Sequence, residues 1–321
     1  MGPAIVRFKN FSGFARRSLT SPTSTHRGQH AVALSFSGSG MMMLWQMGVA
    51  DVMRSDPTFM ARVHRVLGTS GGACVGAMLL ASRPKAFSAA LQYYTSGGMW
   101  QSMQLPHDLL HPHDALLRRT VATLGLLPSD DSWQMLRGRF SAHVTPRTWP
   151  LRNMGITDFQ SNDDVITCIS ASCCLLPHAP VSFRGQLLID GGYSNPLPEM
   201  HDDGSQSCGR QLPTITVSIL AGHGVDMAPG EATGRRGWKE GEQATAAARS
   251  ARRRVAEWRQ SHPFLRYDGS LANAQALVDA SALPRARRAQ WRFEQGQQDA
   301  VRFLRSIGHD PPPPCTPPPL S

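Results

Sequence analysis

The segment "VHRVLGTSGGACVGAMLLAS", residues 63–82, holds a strand, a glycine turn and a helix in one short run. "VHRVLG" is β-branched and apolar, "TSGG" breaks it, and "ACVGAMLLAS" then runs with helical length and spacing until Pro84 ends it. The turn places Ser70 in a G-x-S-x-G pattern, Gly68 to Gly72, after a strand and at the start of a helix. That is where a strained turn can expose a serine hydroxyl at a helix N-terminus, whose amides favour developing negative charge. A serine capping the following helix is the competing reading.

The same punctuation appears just upstream. "AVALSFS" (31–37) reads as a strand, "GSG" as a break and "MMMLWQMGVADVM" as a buried helix. Two consecutive strand, glycine turn, helix units predict a parallel sheet covered by helices. Downstream, "GRFSAHVTP" and "WPLRNMGITDF" look like two strands joined by a turn, "DDVITCISASCCL" like a helix, and "QLLID" and "TITVSILAG" like further strands. "DALLRRTVATLGLL" reads as helical, and "AQWRFEQGQQDAVRFLRSIG" as a last helix ending in Gly308.

Length and composition limit what such a chain can be. Its 321 residues suffice for one large α/β domain, and its apolar runs are broken well short of the roughly 18 residues of a membrane span. The net charge of +10, mostly from arginine, favours an acidic partner such as an anionic lipid surface or nucleic acid. No aromatic-basic motif supports nucleic acid. The six cysteines show no CxxC pair and read as small core residues of a reducing compartment.

Composition divides the chain into a basic N-terminus (1–30), a central α/β domain (31–308) and a Pro-rich tail (309–321). The first 50 residues lack Asp and Glu, as in a mitochondrial transit peptide or a disordered basic tail. An intracellular location is expected, in the cytoplasm, at a lipid surface or in mitochondria. "MGPAIV" is not a myristoylation signal, because Pro3 and Val6 stand where such signals need other residues. Between 235 and 259 an arginine face backs an apolar stripe of Ala244, Ala248, Ala251, Val255 and Trp258. That segment is either a solvated helix face or a dock for anionic phospholipid.

Two further stretches could carry chemistry. "SGSG" (37–40) lacks the third glycine of a dinucleotide fingerprint, since Met43 stands there, but such a loop can present amides to an oxyanion. "IDGG" (189–192) puts Asp190 at a strand end before flexible backbone, as a base for the serine or as a turn residue.

Together, "FSGSGMMMLWQMGVA", "LGTSGGACVGA", "LIDGGYSNPLP" and "TITVSILAG" resemble, in order and approximate spacing, the patatin-like phospholipase domain family, most of all its animal triglyceride-lipase (adiponutrin-like) branch. The resemblance extends over about residues 31–306. It implies a three-layer α/β/α sandwich with a largely parallel central sheet and a Ser–Asp dyad. Position by position, it makes Ser70 the nucleophile and Asp190 the base that takes its proton directly. Gly38, Ser39 and Gly40 match the oxyanion loop, joined by the amide of Gly71, and Gly68, Gly72, Gly191 and Gly192 are motif glycines. No cofactor or metal enters this chemistry.

The function so implied is a serine acyl hydrolase acting on ester lipids through an acyl-enzyme, with transfer of the acyl group to another lipid as a variant of the same chemistry. Peripheral contact with an anionic membrane or lipid droplet through 235–259 goes with it. A serine, acid, histidine order also exists, because His201 and His223 follow Asp190, but neither lies in a motif that fixes its position. Two positions depart from the family pattern. Met43 replaces a frequent glycine and is bulky enough to narrow the loop, and Asn195-Pro196 replaces an Asp-Asn pair. The alternative function is therefore a weak or inactive patatin-like regulator at a lipid surface.

Overall fold

A computed structural model describes residues 31–83, 85–97, 117–122, 126–127, 129–200, 212–222, 225–230, 267, 270–281 and 284–313. The basic N-terminus, the arginine-rich segment 235–259, His201, His223, Cys208, Cys315 and the end of the Pro-rich tail lie outside the described residues.

Seven strands form one sheet in the order β5-β6-β3-β2-β1-β7, with β4 also paired to β3. The strands are β1 (Val32–Phe36), β2 (Val63–Thr69), β3 (Phe140–Pro146), β4 (Met154–Ile156), β5 (Val181–Phe183), β6 (Gln186–Asp190) and β7 (Thr214–Val217). Strands β7, β1, β2 and β3 run parallel to one another. The flank made by β4, β5 and β6 is antiparallel. All five residues of β1 are buried, as expected for a central strand covered on both faces.

The helices are α1 (Met43–Ser55), α2 (Pro57–Met60), α3 (Gly71–Ala81), α4 (Ala86–Thr95), α5 (Ser132–Leu136), α6 (Asn162–Ser172), α7 (Leu271–Ser281) and α8 (Ala286–Ser306), with a further helical turn at 117–122. Local chemistry sets their ends. The Asp56 carboxylate caps α2 by accepting from the Phe59 amide, with Pro57 in the first turn. Ser161 caps α6 through the Asp164 amide, and Asp163 and Asp164 meet the positive end of its dipole. Gly308, at φ +84°, closes α8 in the left-handed conformation.

Helices α1 and α8 cross at two glycines. A Cβ on Gly48 would lie 2.0 Å from the Phe293 carbonyl oxygen, and one on Gly296 would lie 2.0 Å from that of Trp45. Beside the crossing, Trp45 Nε1 donates to Asp299 Oδ2 at 2.8 Å and Gln297 donates to Asp51 at 3.0 Å. Met42, Leu44, Trp45, Met78, Leu79 and Leu80 are buried in the main core. No helix among the described residues is long and apolar enough to cross a membrane.

Candidate active site

Between β2 and α3 the backbone turns sharply at Ser70, which has φ 53° and ψ −128°. A non-glycine residue there costs of order 1–3 kcal/mol, so its surroundings must hold it. Glycines allow the turn to close. A Cβ on Gly68 would sit 2.5 Å from the Gly72 carbonyl oxygen, and one on Gly72 would sit 2.4 Å from that of Ser37. Ser70 occupies the cap position of α3, yet its side chain makes no cap hydrogen bond. Capping is therefore not the work of this hydroxyl, which sits half-buried at the C-terminal edge of the parallel strands.

The amide of Ser70 is held instead. It donates to Ser172 Oγ at 2.8 Å, and the Ser172 hydroxyl donates to the His143 carbonyl at 2.6 Å. Gly191 packs on the same carbonyl so closely that a Cβ there would stand 2.2 Å from its oxygen. One carbonyl on β3 thus sets the spacing between the serine turn and the Asp190 turn.

Asp190, the last residue of β6, is 2% exposed. Burial pushes its carboxyl up to about 6, while the Gly192 amide, 2.7 Å from Oδ1, and the nearby Ser70 hydroxyl draw it part of the way back. Ser70 is close enough to favour the ionised form but makes no hydrogen bond of normal geometry with it. Among the described residues Oδ2 is buried and makes no hydrogen bond of normal geometry. A buried carboxylate oxygen so placed beside a serine is an acceptor held ready for a proton.

The "SGSG" loop lies across the turn from Ser70. The Gly38 amide donates to the Pro196 carbonyl at 2.7 Å. Among the described residues the amides of Ser39, Gly40 and Gly71 have no acceptor, and the Ser39 hydroxyl is buried without a partner. Gly40 takes φ +47° and lies against α7, where a Cβ would fall 2.3 Å from the Ala280 carbonyl oxygen. Met43 has φ −55° and ψ −24°, ordinary helical values, so its backbone is not distorted by the absence of a glycine. Its Cβ is 3.2 Å from where a Gly71 side chain would start, so Met43 borders this corner by side-chain bulk alone.

A patatin-like phospholipase family model matches residues 34–202, more than half of the chain, from within β1 through the Ser70 turn to Asp190 and Pro196. The chain belongs to the patatin-like phospholipase family. Three curated relatives illustrate its neighbours. The omega-hydroxyceramide transacylase of Homo sapiens is 25% identical over 201 residues, covering 61% of this chain and 35% of that protein. Patatin-like phospholipase domain-containing protein 2 of Bos taurus is 25% identical over 284 residues, covering 86% of this chain and 50% of that protein. The 1-acylglycerol-3-phosphate O-acyltransferase PNPLA3 of Homo sapiens is 26% identical over 214 residues, covering 61% and 39%. This patatin-like chain spans between about a third and a half of the length of these relatives.

In this patatin-like site the structure gives Asn195-Pro196 its role and adds contributors that the sequence reading did not name. Asn195-Pro196 bridges the two loops: the Pro196 carbonyl takes the Gly38 amide, and the Asn195 carbonyl takes the Thr69 hydroxyl at 3.2 Å. The His143 ring bonds Asn153 Oδ1 through Nδ1 at 2.6 Å and meets Ser141 Oγ through Nε2 at 3.1 Å. Asn153 donates to Ser194 Oγ, which lies 2.7 Å from Thr145 Oγ1, and Thr145 donates to the Asp190 carbonyl at 2.8 Å. No motif marks Ser172, His143 or Thr145, whose roles arise only when β3 pairs with β2 and β6. Cys74 and Cys173 approach within 3.9 Å beside Ser70. Contact with Cys74 and then burial hold the Cys173 thiol well above the usual range.

Proposed function

We propose that this protein is a serine acyl hydrolase of ester lipids, of the phospholipase, lysophospholipase or acylglycerol lipase kind. Ser70 is its nucleophile and Asp190 its base. The observation that carries the reading is the pairing of a strained Ser70, whose hydroxyl is not spent on capping, with a buried Asp190 beside it whose Oδ2 makes no hydrogen bond of normal geometry among the described residues.

Ser70 attacks the ester carbonyl as its proton passes to Asp190. The tetrahedral oxyanion is met by the amides of Ser39, Gly40 and Gly71, while Gly38, tied to Pro196, fixes the loop. Each such donor is worth on the order of 10²–10³ in kcat. Asp190 returns the proton to the leaving alcohol, and water then releases the acyl group from Ser70. A carboxyl raised to about 6 is well matched to this exchange near neutral pH.

Relatives named transacylase and acyltransferase support acyl transfer to a lipid hydroxyl as a variant of the second step. Contact with an anionic membrane or lipid droplet through 235–259 rests on the arginine content of that segment.

The test is hydrolysis of a short-chain p-nitrophenyl ester and a mixed phospholipid and acylglycerol panel by wild type, Ser70→Ala and Asp190→Asn. Activity in wild type that disappears in both variants supports the dyad. Activity that survives Asp190→Asn assigns the base elsewhere, and a folded wild type without activity on any ester overturns the enzyme reading.

A further inference from the structure

We infer that Ser172 is a positioning residue for the nucleophile, a hydroxyl inserted between β2 and β3 that locks Ser70 in its left-handed turn. The inference rests on the proposed dyad for its chemistry and on hydrogen-bond geometry for its structure.

Parallel pairing of β2 with β3 runs through Thr69 opposite His143, where β2 ends, and α3 begins after Ser70, at Gly71. The Ser70 amide is the first donor past the strand, and the His143 carbonyl is bonded by the Ser172 hydroxyl rather than by that amide. A bare ladder cannot follow the chain into the turn. Ser172, the last residue of α6 and fully buried, closes the gap with one oxygen atom. It accepts from Ser70 at 2.8 Å and donates to His143 at 2.6 Å, so its proton and an acceptor position are both in use. A hydroxyl fits this task because it is both a donor and an acceptor. A thiol has the shape but is a weak partner in both directions, and alanine is neither.

The consequence reaches beyond stability. Once the amide is held, the peptide plane before Ser70 is fixed, and with it the direction from which the hydroxyl leaves the turn. The His143 carbonyl that completes the bridge also packs on Gly191, so the clamp positions Ser70 relative to Asp190 and not merely within its own loop. Losing it allows the serine to drift relative to its base, and misplacement by about 1 Å costs on the order of 10²-fold in rate.

The experiment measures the rate at which a fluorophosphonate labels Ser70 in the full chain, for wild type, Ser172→Ala, Ser172→Cys and Ser172→Thr. Rates are normalised to folded protein and taken well below each Tm, alongside kcat and KM for a p-nitrophenyl ester. We expect Ser172→Ala to label about 10- to 100-fold more slowly. Its KM should stay within about twofold, with Ser172→Cys intermediate and Ser172→Thr closest to wild type. A purely structural role lowers Tm and leaves the normalised labelling rate unchanged, and that result overturns the inference.

If Ser172→Ala does not fold, Ser172→Cys decides by the same comparison. A wild type that does not label removes the proposed reaction but leaves the clamp open to a direct measurement, the hydrogen exchange of the Ser70 amide. Slow exchange in wild type that quickens in Ser172→Cys supports the clamp, and fast exchange in wild type overturns it.

Discussion

The carbonyl oxygen of His143 lies against the Cα of Gly191, so close that any side chain would begin 2.2 Å from it. Gly191 follows Asp190 directly, and the same carbonyl accepts the hydroxyl that holds the Ser70 amide. The approach of these two backbones sets how near the carboxyl comes to the serine.

Gly191→Ala should therefore harm both stability and activity. Its methyl meets backbone rather than a flexible side chain, so β3 and the Asp190 turn must separate at a cost of roughly 1–3 kcal/mol. We expect a lower Tm and a fall in kcat of on the order of 10²-fold in the folded fraction. Circular dichroism melting with ester hydrolysis at low temperature checks both, and normal kcat in this variant contradicts the shared spacing.

The pH dependence of turnover follows from Asp190. Its carboxyl is raised by burial to about 6, and a base must be ionised to accept the serine proton. kcat/KM should climb tenfold per pH unit below that value and level off above it. A profile of ester hydrolysis from pH 4 to 9 reads this directly, and an inflection near the ordinary carboxylate range would show that Asp190 is not desolvated in the free enzyme.

The same shift has a thermodynamic counterpart. A carboxyl whose pKa is higher in the folded than in the unfolded chain binds its proton more tightly when folded. Stability is therefore lost as pH rises from about 3.8 to about 6, and the loss persists above that range. Two pKa units correspond to a penalty of order 2–3 kcal/mol at neutral pH. Asp190→Asn removes the charge, so it should be more stable than wild type at pH 7.5, with the difference shrinking towards pH 4. Urea unfolding of both proteins at the two pH values measures it, and a variant less stable than wild type at pH 7.5 contradicts the buried-charge account.

Far from the site, Gly296→Ala tests the packing of α1 on α8. Its Cβ would stand 2.0 Å from the Trp45 carbonyl oxygen, so the helices must part, at roughly 1–3 kcal/mol or more. Tm should fall by several degrees, while kcat per folded molecule stays close to wild type because no site residue lies at the crossing. Unchanged Tm would show that the helices are not in this contact.

Much of the fold could be read from local patterns. Strands β1 and β2, the glycine turns after them and helices α1, α3, α6 and α8 all announce themselves by apolar runs, β-branched residues and breaks. Helices α2, α4, α5 and α7 and strand β5 were missed. In α7 only Asn273 and Ala276 are buried, so no apolar stripe marks it, and β5 has three residues, too few for a pattern. Two strands joined by a turn already implied that β4 returns antiparallel along β3, whereas the antiparallel pairing of β6 with β3 was hidden, because it joins residues distant in sequence.

The candidate site divides along the same line. Ser70, Asp190 and their glycines were visible because tight turns demand particular residues at fixed spacing. Ser172 and His143 were not, since a serine at a helix end and a histidine in a strand acquire meaning only from partners 102 and 29 positions apart in sequence. The Met43 question turned on backbone angles. Its helical φ and ψ show that the loop tolerates a side chain there, whereas Gly40, at positive φ against Ala280, does not.

The most direct measurement of the central claim is the mass of the protein after exposure to a fluorophosphonate, followed by digestion and sequencing of the modified peptide. The account predicts one adduct, on Ser70, slowed by prior addition of an ester substrate and absent in Ser70→Ala. A folded wild type that takes up no adduct, or an adduct that persists in Ser70→Ala, contradicts it.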